Sequence, residues 1–203
     1  MSTKVAVVYY SSTGSVAALA DAVADGARGA GAEVRLLKVH ELAPAEAIAS
    51  NPKWAAYAAA STDVPEATPD DILWADAVIF GTPTRFGNVS AQLKQFLDTL
   101  GGLWGQGKLA DKVYSGFVSA STLHGGRETT LQAIYITVQN FGGIIVTPGY
   151  TDPIQLVTGT PYGPSHTDGR GIGPSEDTLA SARYSGRRTA SITAQLLAGR
   201  AAS

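Results

Sequence analysis

Short apolar runs alternate with amphipathic stretches along most of this chain. Val5-Ala6-Val7-Val8-Tyr9-Tyr10, residues 34–39, Ala77-Val78-Ile79-Phe80, residues 113–118 and Ile144-Ile145-Val146 are runs of three to six residues, and each predicts a strand. The first, third and fifth are apolar throughout instead of alternating, as strands covered on both faces require. Between them, Val16, Leu19, Ala20, Val23 and Ala27 recur at helical spacing until Gly29 and Gly31. Val89, Leu93, Phe96, Leu97 and Leu100 repeat the pattern before Gly101-Gly102, and Leu131, Ile134, Tyr135 and Val138 repeat it before Gly142-Gly143. A last helix is predicted from about residue 175 to 197. Five strands alternating with helices predict an α/β fold with a doubly wound parallel sheet, and the commonest five-stranded order is 2-1-3-4-5.

Residues 43–68, 101–111 and 148–175 depart from this alternation and read as insertions, since long structured connections in compact domains are usually functional or interfacial. None has enough periodic apolar residues for a core of its own, so residues 1–203 are expected to form one domain. Composition agrees: 44% hydrophobic and 16% charged residues describe a foldable globular chain. The absence of cysteine excludes disulfides, thiolate metal centres and thiol nucleophiles, so any redox chemistry has to come from something bound.

A net charge of −2, split as −4 over residues 1–100 and +2 over the remainder, offers no concentrated basic face and argues against nucleic acid as a partner. The start, Met1-Ser2-Thr3-Lys4 followed by the first strand, is too short in its apolar part for a signal peptide, and no apolar run approaches a membrane span. A cytoplasmic location is the default expectation. Asn88-Val89-Ser90 matches the glycosylation sequon by chance on this view.

Ligands of a parallel sheet bind at the carboxyl ends of its strands. The loop after strand one, Ser11-Ser12-Thr13-Gly14-Ser15, puts four hydroxyls and a glycine at a helix start. Backbone N–H groups and the positive helix end suit an anion there, and the lack of Lys or Arg favours a terminal monophosphate held by neutral donors. Simple N-capping accounts for one of those hydroxyls. The loop after strand three, Gly81-Thr82-Pro83-Thr84-Arg85-Phe86-Gly87-Asn88, either walls a planar ligand with Phe86 or is a surface turn. The loop after strand four, Ser119-Ala120-Ser121-Thr122-Leu123-His124-Gly125-Gly126, is again rich in hydroxyls and glycine; His124 is either a polar contact to the ligand or a solvated surface residue. Together the loops suit a phosphorylated planar aromatic. Trp104 either covers such a pocket or fills local core.

Two short matches fail on context. Gly102-Leu103-Trp104-Gly105-Gln106-Gly107-Lys108 has the P-loop spacing, but Leu109 stands where a magnesium-binding hydroxyl belongs and no strand precedes it. Gly169-Arg170-Gly171-Ile172-Gly173 has neither strand nor helix in the right place and reads as a flexible turn. A phosphoacceptor receiver domain needs acidic residues at the end of strand one, where Tyr9, Tyr10 and Ser11 stand instead.

The segment Ile79-Phe80-Gly81-Thr82-Pro83-Thr84-Arg85-Phe86-Gly87-Asn88, then Gly101-Gly102-Leu103-Trp104, Thr158-Gly159-Thr160-Pro161-Tyr162-Gly163 and Ala182-Arg183-Tyr184, in that order, resembles the WrbA-type NAD(P)H:quinone oxidoreductases, tetrameric relatives of flavodoxin that bind FMN. The resemblance covers nearly the whole chain and implies a flavodoxin-like fold with the 2-1-3-4-5 order. It assigns the FMN phosphate to Ser11, Ser12, Thr13, Gly14, Ser15 and Val16, and the isoalloxazine to Pro83, Thr84, Arg85, Phe86, Gly87 and Asn88. Ser119, Ser121, Thr122, Leu123, His124, Gly125 and Gly126 follow the ribityl chain and ring edge, and Asn140 lies near the flavin. Trp104 faces the nicotinamide or quinone site, and Thr13 touches the nicotinamide nucleotide. Where the family often carries Tyr and His, this chain has Thr13 and Asn140, and Leu123 and His124 interrupt what is commonly a run of Thr and Gly.

The implied activity is two-electron ping-pong chemistry: NADH or NADPH delivers hydride to flavin N5 and leaves, and a quinone then collects the electrons. No metal and no protein acid or base is required, with Arg85 as electrostatic support. A homotetramer, or a dimer, is the implied assembly, with active sites near subunit boundaries. Two other functions stay open: a one-electron carrier of the flavodoxin type, and an FMN-sensing module whose oligomerisation follows cofactor occupancy.

Overall fold

The computed structural model describes residues 2–169 and 171–202; Met1 and Arg170, both part of sequence patterns weighed above, lie outside them. At the centre is a parallel sheet in the order β2-β1-β3-β4-β5, formed by β1 (Lys4–Tyr9), β2 (Glu33–Lys38), β3 (Ala77–Pro83), β4 (Val113–Ala120) and β5 (Ile144–Ile145). β1, β3 and β4 are interior strands, and their side chains are buried nearly throughout, which is why those segments are apolar without alternation. β2 lies at an edge; Glu33, Arg35 and Lys38 keep it polar, as an unpaired strand edge requires.

Among the described residues the expected five strands become six. β5 pairs only with the first residues of β4, Val113 and Tyr114, while β6 (Ser165–Thr167) pairs in parallel with the last three, Val118 to Ala120. The position beside β4 is therefore filled in two pieces, separated by a loop containing α8 (Pro153–Thr158). A polar triplet, Ser165-His166-Thr167, carries no apolar signal, and β6 forms because β4 presents its free backbone edge there.

Two layers of helices cover the sheet. On one face lie α1 (Ser15–Gly29) and the long α9 (Glu176–Ala202), packed over Val5, Val7, Ile79 and Phe117. They cross closely because Gly26 lies under the Arg183 carbonyl and Gly186 under that of Val23; a methyl at either glycine would overlap the opposing backbone. On the other face α4 (Pro69–Trp74), α5 (Ala91–Thr99) and α7 (Arg127–Phe141) bury Ile72, Leu93, Phe96, Leu131 and Ile134 against Val78, Phe80 and Tyr114. Fully burying each such side chain contributes about 2–3 kcal/mol. Within residues 43–68 the chain forms α2 (Ala45–Ala49) and α3 (Pro52–Ala60), with Asn51 capping α3 through its side-chain oxygen. Residues 101–111 hold the one-turn α6 (Gly101–Gly105). Among the described residues no helix is long and apolar enough to cross a membrane.

Candidate functional site

Register brings the three glycine- and hydroxyl-rich loops to one end of the sheet. Tyr9 pairs with Gly81 and Pro83 with Ser119, so β1, β3 and β4 release their chains side by side. The first loop turns into α1 through Gly14, whose φ of 95° is a left-handed conformation that favours glycine. No side chain among the described residues caps α1; the N–H of Gly14 bonds instead to Ser11 Oγ at 3.1 Å. First-turn N–H groups of a helix have no partner within it, so here they are directed at the loop's concave side. Ser11 and Ser15 are buried, and Ser12, Thr13 and Gly14 are half-buried.

The second loop is a tight reversal. Arg85 N–H donates to the Asn88 carbonyl at 2.8 Å and Asn88 N–H returns a bond to Arg85 at 3.0 Å. Between them Phe86 (φ 53°) and Gly87 (φ 80°) both take positive φ, the geometry of a type I′ turn. Glycine or asparagine suits the first of these positions, and a phenylalanine there is strained by about 1 kcal/mol or more. Its ring is fully solvent-exposed, at 102% of the reference area, so no packing within the chain compensates that strain. Arg85 is tied back to the Thr84 carbonyl at 3.1 Å.

The third loop locks onto the second. Thr84 N–H donates to the Ser119 carbonyl at 2.7 Å, and Thr84 Oγ1 lies 2.6 Å from Thr130 Oγ1. Gly126 (φ 90°) starts α7 directly against Gly87; a Cβ at Gly126 would come within 2.8 Å of the Gly87 Cα. Ser119 is buried, Gly125 and Gly126 are half-buried, and Ser121, Thr122, Leu123 and His124 are exposed.

A fourth wall comes from the segment after β6. Asp168 N–H donates to the Ala120 carbonyl at 2.7 Å, and its carboxylate accepts the Ser15 hydroxyl at 2.5 Å, which ties this segment to both the first loop and the end of β4. The inserted α3 closes the side: Tyr57 packs beside Gly14 and its hydroxyl lies 3.1 Å from that of Tyr9, while Lys53 donates to the Gly171 carbonyl at 3.4 Å. Burial raises the Tyr9 hydroxyl pKa, and the bond with Tyr57 adds to the shift, so Tyr9 stays neutral through the physiological range.

One carboxylate organises the neighbouring rim. Glu41 accepts bonds from the Tyr10 hydroxyl (2.8 Å), the Trp54 indole (3.2 Å), the Gln92 amide (2.8 Å) and the N–H groups of Leu42 and Ala43 (2.9 Å each). Burial alone would raise its pKa, but these donors outweigh burial and hold it below the ordinary 4.5. Tyr10 moves the other way: burial raises it first, then its bond to Glu41.

Trp104 and Asn140 are not with these loops. Trp104 Nε1 donates to the Asn140 carbonyl at 2.9 Å, so the two residues are together, but at the amino ends of the strands. Asn140 closes a 15-residue helix whose other end carries Gly126, about 20 Å away at 1.5 Å per residue. Within one chain neither residue covers the cleft; Trp104 is 58% exposed and fills no local core. Conversely, Asp168, Lys53, Tyr57 and Glu41 join the site without having been legible as site residues. Asp168-Gly169 is a turn signal, but its meeting with Ser15 spans 153 positions of sequence.

The donor set suits FMN. Uncapped N–H groups at the start of α1, the hydroxyls of Ser11, Ser12 and Thr13 and the Lys53 ammonium are chemistry for a phosphomonoester. The loops around Thr84–Asn88 and Ser121–Gly126 offer backbone and a bare aromatic face to a planar ring. Among the described residues no group of three or more His, Asp or Glu side chains is placed to hold a metal ion.

Residues 3–151 match the family described as NADPH-dependent FMN reductase. A protein of Deinococcus radiodurans named NAD(P)H dehydrogenase (quinone) is 49% identical, covering 96% of this chain and 97% of its own. One of the same name from Aromatoleum aromaticum is 44% identical over 98% of this chain and all of its own. The crystal structure of a flavodoxin, WrbA-like protein from Agrobacterium tumefaciens superposes with a TM-score of 0.68 at 30% identity, covering 96% of this chain and 99% of that one.

Proposed function

The chain belongs to the NADPH-dependent FMN reductase family, and from that premise we propose that it catalyses two-electron reduction of quinones to hydroquinones by NADH or NADPH, through FMN held in the cleft, in the cytoplasm. The observation that carries this is the convergence, at one sheet end, of an uncapped helix start and a rigid turn presenting a bare aromatic. In the balanced reaction, NAD(P)H, a proton and a quinone give NAD(P)+ and a hydroquinone. Bound FMN supplies the chemistry, as a hydride acceptor that returns both electrons to the quinone.

The protein's part is binding, orientation and electrostatics. Residues 11–16 hold the phosphate with neutral donors and the positive helix end. The bond from Thr84 to Ser119 and the Gly87–Gly126 contact fix the second and third loops against each other. Arg85 would supply positive charge to a bound flavin and Phe86 would wall the substrate side. Thr13 borders the cleft that the nicotinamide nucleotide enters. The family resemblance is the reason to expect a homotetramer or a dimer, and Trp104 and Asn140, remote from the cleft within one chain, would have to meet such a cleft in another copy.

Steady-state rates with NADH and benzoquinone varied together test this reading. Parallel double-reciprocal lines are expected, because both substrates use one site in turn; intersecting lines contradict it. A one-electron carrier is less favoured, since a net charge of −2 gives little electrostatic steering toward a redox partner.

A further inference from the structure

We infer that Lys53 and Asp168, neither of them in the loops after β1, β3 and β4, form the charged end of the cofactor cleft and set its preference for phosphorylated over unphosphorylated flavin; the inference rests on the FMN reading above. Both line one concave patch with Thr13, Gly14 and Ser15 at the start of α1. Lys53 is carried there by α3, which Tyr57 anchors beside Gly14 and Tyr9. Its ammonium rests over Gly171, where any side chain would overlap it, and its bond to the Gly171 carbonyl is long at 3.4 Å. Donor capacity is left over, since an ammonium has three N–H groups.

Asp168 is the counterweight. One carboxylate oxygen takes the Ser15 hydroxyl, and the other is buried without a hydrogen-bond partner among the described residues. His166 Nε2 lies 3.9 Å from that second oxygen but bonds at 2.9 Å to the Ile172 carbonyl. A carboxylate at the positive end of α1 occupies ground that also suits a phosphate, and it engages the Ser15 hydroxyl. Among the described residues lining this patch, a phosphomonoester dianion therefore meets one opposing charge, Asp168, and one favourable charge, Lys53. A flavin ending in a hydroxyl feels neither strongly. Lys53 thus favours the phosphorylated cofactor and Asp168 limits how tightly it is held.

Quenching of flavin fluorescence, titrated in parallel with FMN and riboflavin at low and high salt, tests this. Lys53→Gln is expected to weaken FMN binding about tenfold, the scale of one charge-assisted contact, and to flatten its salt dependence. Lys53→Arg is expected to retain FMN affinity. Asp168→Asn is expected to tighten FMN binding by a similar factor, and none of the three moves riboflavin. Equal shifts for both flavins, no shift in Lys53→Gln, or weaker FMN binding in Asp168→Asn overturn the inference. If Asp168→Asn does not fold, the two Lys53 variants decide it alone. Wild-type protein that binds neither flavin contradicts the FMN reading itself, a result distinct from any of these.

Discussion

At the crossing of α1 and α9, two glycines let helix backbones touch, and buried alanines, serines and threonines fill the seam. At the carboxyl ends of the strands, glycines serve the opposite end: Gly14, Gly87 and Gly126 hold positive φ so that backbone stays bare, and Phe86 accepts a strained conformation with its ring in solvent. The same residue type closes one region and opens the other. In the first, every substitution should be felt as lost stability. In the second, the strained position should be removable at a gain in stability and a loss of function.

The largest effect expected is at the sheet beneath both regions. Phe117 is fully buried in β4 and its ring lies directly under Gly81, so Phe117→Ala should cost about 3–5 kcal/mol in denaturant unfolding. A cost below about 1 kcal/mol would show that the α1/α9 layer does not press on β4 as described. Next, Gly26→Val drives a side chain into the Arg183 carbonyl and should cost about 3 kcal/mol, with flavin affinity per folded molecule unchanged. Flavin affinity falling in step with stability would erase the distinction between the regions.

Phe86→Asn reverses the sign. It makes an Asn-Gly type I′ turn and should raise stability by about 1 kcal/mol while quinone turnover falls severalfold. A destabilised variant with full turnover contradicts the role given to Phe86. The smallest effect concerns acid. Glu41 is held below 4.5 when folded, so its charge stabilises the fold above the pKa of the unfolded chain, and that contribution is lost as pH falls through 4.5 toward the folded value. Melting temperature between pH 6 and pH 4 should fall less steeply in Glu41→Gln than in wild type; identical slopes would remove Glu41 as the organiser of the rim.

The same contrast explains what the sequence made legible. β1, β3, β4 and the helices that cover them follow from apolar periodicity, and the strand order follows from the alternation. The three loops follow because strand ends are where a parallel sheet binds ligands. β6 was hidden because Ser165-His166-Thr167 has no apolar pattern of its own and depends on the free edge of β4. Asp168, Lys53 and Glu41 were hidden because charged residues in connections look alike until tertiary structure brings them to one rim. Trp104 and Asn140 show the converse: similarity to a family groups them with the flavin, while one chain places them together at the far pole.

The central claim is that the cleft holds FMN as a relay for two electrons between a nicotinamide nucleotide and a quinone. It is tested most directly by anaerobic titration of the FMN-loaded protein with NADH or NADPH, followed by benzoquinone, while flavin absorbance is recorded. The yellow absorbance should vanish at one equivalent of nucleotide per chain and return in full with one equivalent of benzoquinone. Absorbance that persists after NADH and NADPH, or that needs a one-electron donor to change, contradicts the claim.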